Sequence, residues 1–159
     1  MTESSNYPVW DTELKSFLKE WFSGLMAGIE RSNDETWPKV LEMTGRACSH
    51  IHSGELFIKT WESTKNIDDF IFKINKDTDE VTYEKLDNYT LFVSYSKCKC
   101  PLVRFGFVAS PLLCECTPNW LLENFETILE KSVTVKTENT ILRGAKKCSF
   151  IISIENDVF

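Results

Sequence analysis

The residues of this sequence best suited to chemistry are its cysteines and histidines, six and two in number. Cys98-Lys99-Cys100 and Cys114-Glu115-Cys116 form two Cys-x-Cys pairs. In an extended segment residues i and i+2 point to the same face, so each pair would present two sulfurs side by side. Where the two segments meet, four thiols converge, the donor set of structural zinc or of an iron–sulfur cluster. The usual zinc spacing leaves two to four residues between paired cysteines, which is wider than Cys-x-Cys. Three readings of these thiols therefore stay open: buried or pocket-lining groups, metal or cluster ligands, and redox or nucleophilic groups.

Cys48-Ser49-His50-Ile51-His52 brings another cysteine together with both histidines. On a helix, Cys48 and His52 stand one turn apart and could serve together. The candidate metal-ligating set is thus Cys48, Cys98, Cys100, Cys114 and Cys116. Cys148 sits in an apolar strand pattern and reads as a small buried hydrophobe. Other chemistry has little support. Phosphate-cradling glycine loops are absent, as are the H-E-x-x-H and G-x-S-x-G patterns. Glu115 and Glu126 are candidate general bases, though acidic side chains in such positions are usually solvated.

These residues must be positioned by a chain of 159 residues, a length that suits one domain. With 42% hydrophobic and 26% charged residues the composition is ordinary globular usage. A formal charge of −6 favours solubility and gives no help to binding nucleic acid or an anionic membrane. The start, Met1-Thr2-Glu3-Ser4-Ser5, has neither a basic n-region nor an apolar h-region, and no apolar run approaches the roughly 18 residues of a membrane span. The expectation is a cytoplasmic protein, where cysteines stay reduced and thiol, metal or redox roles come before disulfides.

Residues 1–9 read as a loosely ordered tail, and residues 10–159 as a single α+β domain. Trp10, Leu14, Phe17, Leu18, Trp21, Phe22, Leu25, Met26 and Ile29 fall at helical spacing and predict a core helix. A membrane-surface helix is its rival, but the polar face mixes Glu13, Lys15, Lys19 and Glu20 rather than being basic. A second helix begins near 34–37, with Pro38 in its first turn, runs to about Ile51 and is stopped by Gly54. A third helical region covers 55–74, broken near 63–66. Val81, Tyr83 and Leu86, then Leu91, Val93 and Tyr95, alternate as a hairpin running into Cys98 and Cys100. Thr117-Pro118 is a helix start, with Leu121, Leu122, Phe125, Ile128 and Leu129 as its buried face. Val133, Val135 and Thr137 form a strand. Arg143 to Lys147 is a turn, and Cys148, Phe150, Ile152 and Ile154 line one face of the last strand. The predicted architecture is N-terminal helices packed on a C-terminal antiparallel sheet, with one further helix between strands.

The C-terminal third resembles the 4-vinyl-reductase-type domain superfamily, and within it the aminothiazoline-carboxylate hydrolase family and its relatives. The resemblance rests on Cys114-x-Cys116, the helix at 120–129, Val133-Thr134-Val135, Thr140-Ile141-Leu142-Arg143-Gly144 and Cys148-Ser149-Phe150-Ile151-Ile152. Its features are a glycine at the hairpin, a cysteine four residues later and a phenylalanine two beyond that. Gly45-Arg46-Ala47-Cys48 is also similar to a glycine-arginine-x-cysteine motif of these relatives. The likeness covers most of the chain loosely and residues 98–154 more closely. It departs at Ala145, where an acidic residue commonly follows the glycine, and it carries over no catalytic residues.

The resemblance implies an α+β fold that encloses small molecules, sometimes with metal assistance. Hydrolase members open a sulfur-containing ring, which a cysteine nucleophile or a metal-bound water can do. Two functional readings follow. The first is a sensor-type domain binding a small molecule or metal, with the five cysteines named above lining one site and zinc or an iron–sulfur cluster as the candidate cofactor. The second is a hydrolase of a small heterocycle or amide. There Cys114 or Cys116 would be the nucleophile, His50 or His52 the base and Glu115 an orienter. A third, an interaction domain, has the helical face at Trp10–Ile29 packing on a second copy of the chain.

Overall fold

A computed structural model describes residues 12–32 and 35–155. The predicted tail and the contribution of Trp10 lie outside the described residues. Helix α1 is Thr12–Arg31, α2 Thr36–His52, α3 Gly54–Glu62 and α4 Ile67–Asp77. Strands β1 (Val81–Lys85) and β2 (Thr90–Tyr95) follow, then the one-turn helix α5 (Pro101–Arg104) and a 3-10 turn at Pro111–Glu115. Helix α6 (Cys116–Leu129) leads into β3 (Val133–Asn139), a second 3-10 turn at Ile141–Arg143 and β4 (Cys148–Ile154). The fold is α+β, helices first, with α6 between strands, as the sequence pattern predicts.

The sheet order is β1-β2-β4-β3, antiparallel throughout. Cross-strand partners put like with like: Leu91 faces Ile152, Val93 faces Phe150 and Tyr95 faces Cys148. Because side chains alternate along a strand, this register gathers the apolar residues of β2 and β4 on one face. That face is covered by Leu121, Phe125 and Ile128 of α6, Phe57 of α3, and Phe70 and Ile74 of α4. Phe57 is the hub, with the rings of Phe70, Tyr83, Trp120 and Phe125 centred 5.5–6.0 Å away. Each fully buried ring of this size contributes about 1.5–3 kcal/mol. The edge strand β1 is tied down by Asn75 of α4, whose amide donates to the Tyr83 carbonyl and accepts from its N–H, both at 2.8 Å.

A second apolar cluster joins Met26 and Ile29 of α1 to Phe107, Val108 and Leu113, with Cys100 and Cys116 packed against it. Here the structure corrects the core-helix reading of α1. Only Met26 and Ile29 are buried on that helix, while Leu14, Phe17 and Trp21 are exposed. Periodicity marks an apolar face without saying what covers it. Helix α2 stops just before Gly54, as expected, and α3 opens there because the Phe57 N–H bonds back to the Ser53 carbonyl and restarts a helix at once. One boundary differs. Helix α6 begins at Cys116, before the predicted cap at Thr117.

The helices that matter most for the thiols are α2 and α6, which cross at Gly45. A Cβ built on Gly45 would stand 2.2 Å from the Cys116 carbonyl oxygen and 3.0 Å from the Asn119 Cβ. Only glycine admits this approach. Arg46, next in sequence, reaches across to Glu123 at 2.6 Å and Glu126 at 3.1 Å and fixes the crossing from its solvent side. Gly45→Ala therefore meets backbone rather than a yielding side chain, and should cost about 1–3 kcal/mol. A urea midpoint lowered at constant m-value would register that loss.

Candidate functional site

All six cysteines are free. Cys98 and Cys100 lie beyond the end of β2, in the loop that enters α5, so the first pair is not part of a strand. That loop is held at both ends. Lys97 and Lys99 pair with Glu80 at 2.5 and 2.8 Å, and the Ser96 N–H donates to the Glu80 carbonyl. The two ammonium groups, Lys97 first, hold the Glu80 carboxyl down at about 2. At the other end the Cys100 carbonyl accepts from the N–H groups of Val103 and Arg104, which starts α5.

The second pair is arranged differently from the expectation. Cys114 is buried in the 3-10 turn, and Cys116 is the first residue of α6. On a helical path residues i and i+2 diverge by about 200°, so these two sulfurs do not share a face as they would in a strand. Ser110 caps the 3-10 turn by accepting from the Leu112 N–H, and Glu115 pairs with Arg143 to join this turn to the later one. Cys48 is half-buried on α2, three residues after the glycine of the crossing. Cys148 opens β4 as the predicted buried residue, and its Sγ accepts from the Ile141 N–H at 3.3 Å.

Several of these thiols bear on one another's ionisation. Burial first, and then the thiols of Cys100, Cys48 and Cys114 with the Glu115 carboxyl, together push the Cys116 thiol up to about 12. Cys48 is raised by burial and then by Cys100. Cys98 is raised by burial, against the opposing Cys100 N–H, with smaller contributions from Cys100, Cys148 and Cys114. Cys148 is raised by burial and by Cys114, against the Ile141 N–H. Cys100 and Cys114 are thus the two centres around which the others stand. The buried hydroxyl of Tyr95, which faces Cys148 across the sheet, stands against that of Tyr83, while the buried Thr140 hydroxyl has no hydrogen-bond partner among the described residues.

Sequence reasoning assigned Cys148 to packing and passed over Tyr95. The signal was present, since Tyr95 alternates with Val93 onto the inner face and a buried tyrosine hydroxyl ordinarily needs a partner. Other predicted groups are employed elsewhere. His50 is exposed, with Nε2 3.3 Å from a carboxylate oxygen of Glu123. Glu126 bonds Arg46 and the Val133 N–H. Glu115 holds Arg143. The expectation for the His52 side chain lies outside the described residues.

Among the described side chains named for a thiol hydrolase, His50 is engaged with Glu123 and Glu115 with Arg143. Reactive cysteines have lowered pKa values, whereas the thiols of Cys48, Cys98, Cys116 and Cys148 are all raised. Nor do Cys48, Cys98, Cys100, Cys114 and Cys116 form a finished ligand sphere. Among the described residues, no three His, Cys, Asp or Glu side chains stand where they could hold a metal ion. An open depression of about 320 Å³, lined by Glu80, Thr82, Ser94, Ser96, Lys146 and Lys147, lies on the outer face of the sheet and includes none of the thiols. No helix among the described residues is long and apolar enough to cross a membrane.

No protein-family model matches the sequence, and no curated protein matches it. Solved structures share the fold. A trafficking protein particle complex subunit 3 from Naegleria fowleri, covalently bound to palmitic acid, superposes with a TM-score of 0.54 at 10% identity, over 92% of this chain and 98% of its own. The phenol-responsive sensory domain of the transcription activator PoxR, with phenol, gives 0.54 at 14% identity, over 89% and 73%. An H-NOX protein from S. oneidensis in the Fe(II)NO ligation state gives 0.51 at 15% identity, over 98% and 83%.

The raised thiols make stability fall with alkaline pH. The Cys116 thiol titrates near 12 in the folded chain, above its ordinary value of 9.0. Between those two values the unfolded chain has lost a proton that the folded chain keeps, so stability is full below the lower one and declines towards the higher. Denaturation midpoints measured across that window should fall, and should fall less in Cys116→Ser than in the parent.

Proposed function

We propose that this chain is a ligand-binding domain of the sensor type. Its site is the thiol neighbourhood of Cys48, Cys98, Cys100, Cys114 and Cys116, and its ligand is a soft metal ion or a small molecule that engages sulfur. The observation that carries this reading is that Cys100 and Cys116 pack against the same apolar cluster, and it is supported by the influence of the Cys100 thiol on Cys48, Cys98 and Cys116. Thiolates select soft, thiol-seeking partners such as zinc, copper(I) or iron–sulfur clusters. Raised pKa values mean that such a partner would displace protons as it binds, so affinity would rise with pH.

The donor set fits a soft metal by its chemistry, and the metal when bound would supply Lewis acidity or a structural tie. The chain's own part is to hold the thiols at the end of the second apolar cluster, where Cys100 and Cys116 pack. Solved structures of this fold give the reading further support, because one holds phenol and another is in the Fe(II)NO ligation state. The resemblance of residues 98–154 to 4-vinyl-reductase-type domains belongs to the same proposal.

A ligand at a hundred times its Kd raises stability by about 2.7 kcal/mol. Reduced protein, purified without oxygen, would be assayed for zinc and iron and then screened by thermal unfolding against Zn²⁺, Cd²⁺ and a panel of small phenols and thiols. Bound metal, or a rise in Tm of several degrees with one of these, is expected. The double substitution Cys100→Ser/Cys116→Ser should abolish either. Protein free of metal that responds to none of the panel, or a response that survives the double substitution, would end this reading.

A further inference from the structure

Helix α1 carries two apolar faces. One holds Phe22, Leu25, Met26 and Ile29 and packs on Phe107, Val108 and Leu113. The other holds Leu14, Phe17 and Trp21, which are 42%, 59% and 53% exposed. At 100° per residue the second face is turned about 100° around the helix from the first. It continues towards the C-terminus through Gly24 and Gly28. A Cβ placed on either glycine would meet nothing within 4 Å. One long stripe is therefore bulky in its first half, flat in its second, and bare along its length among the described residues.

We infer that α1 is a self-association helix, and that two copies of this chain pair their α1 helices antiparallel. In that pairing Phe17 and Trp21 of one copy lie over Gly28 and Gly24 of the second copy, and the reverse. A two-fold axis needs a patch that complements itself, and a stripe of knobs followed by flat positions does so only in the antiparallel sense. Glycines let helix backbones approach closely, leaving room for an aromatic ring.

Charge agrees with this register. Glu13 in the first turn and Arg31 in the last stand on the same flank of the stripe, so antiparallel pairing places each against its opposite on the second copy. The area agrees as well. The three exposed side chains leave on the order of 300 Å² bare per copy, given that a buried aromatic hides 150–250 Å². Over two copies these side chains cover about 600 Å², to which the helix backbone at the glycines adds a little, the size of a weak and dissociable interface. This inference does not depend on the thiol site.

Sedimentation velocity on the full reduced chain, from low micromolar to a few hundred micromolar, tests it. A monomer–dimer equilibrium in the micromolar range is expected. Trp21→Asp and Gly28→Leu should each weaken it at least tenfold with an unchanged circular dichroism spectrum, since both positions are exposed. Glu13→Arg alone should weaken the dimer, and Glu13→Arg with Arg31→Glu should restore it. A monomer at every concentration overturns the proposal, as does a dimer indifferent to Gly28→Leu. Two further results would assign the stripe to other occupants and overturn it too: binding to phosphatidylserine vesicles without self-association, and dimers that form only after residues 1–11 are removed.

Discussion

Helix α2 can place Cys48 beside Cys100 and Cys116 only because it crosses α6 at a residue without a side chain. The Cys116 carbonyl occupies the space that a Cβ on Gly45 would need. That contact sets the distance between the helices, and the Arg46 bridges to Glu123 and Glu126 set their rotation. From the same crossing α6 runs back over the sheet with Leu121, Phe125 and Ile128 facing inward. One close approach thus governs both the main core and the placement of two of the thiols. The pairing of Glu115 with Arg143 carries the restraint on towards β4, where Cys148 begins.

Electrostatics then decides what kind of site the thiols make. Bringing several acids of one kind together in a half-buried space disfavours ionising any of them, because each new charge is both desolvated and repelled. Cys116, with burial and three neighbouring thiols acting together, is pushed up to about 12. Such groups are poor nucleophiles and good reservoirs of protons. Of the groups expected to activate a thiol, His50 and Glu115 are paired with Glu123 and Arg143.

Much of the fold could be read from periodicity. The inner face of the sheet follows from the alternation of Leu91, Val93 and Tyr95 with Cys148, Phe150 and Ile152, and the buried face of α6 from Leu121, Phe125 and Ile128. The break between α3 and α4 was legible as well. The candidate site was legible in its membership but not in its geometry. Spacing named the cysteines, yet it could not tell that Cys114 and Cys116 would lie on helical turns, since proline at 111 and 118 is compatible with either loop or helix start. Burial of α1 failed for a related reason. An apolar stripe records a preference for cover, and the cover belongs to tertiary or quaternary structure. The role of Gly45 was hidden because a glycine inside a helix reads as a weak point until the carbonyl opposite it is seen.

The central claim is that thiols remote in sequence share one neighbourhood. A trivalent monoaryl arsenical bridges two thiols only when they can approach each other, so peptide mapping of the reduced, folded chain after brief exposure reports proximity directly. The account predicts an arsenic bridge joining the Cys98–Cys100 peptide to the peptide of Cys116 or of Cys48. Bridges found solely within the Cys98–Cys100 pair, or none until the chain is unfolded, would contradict it.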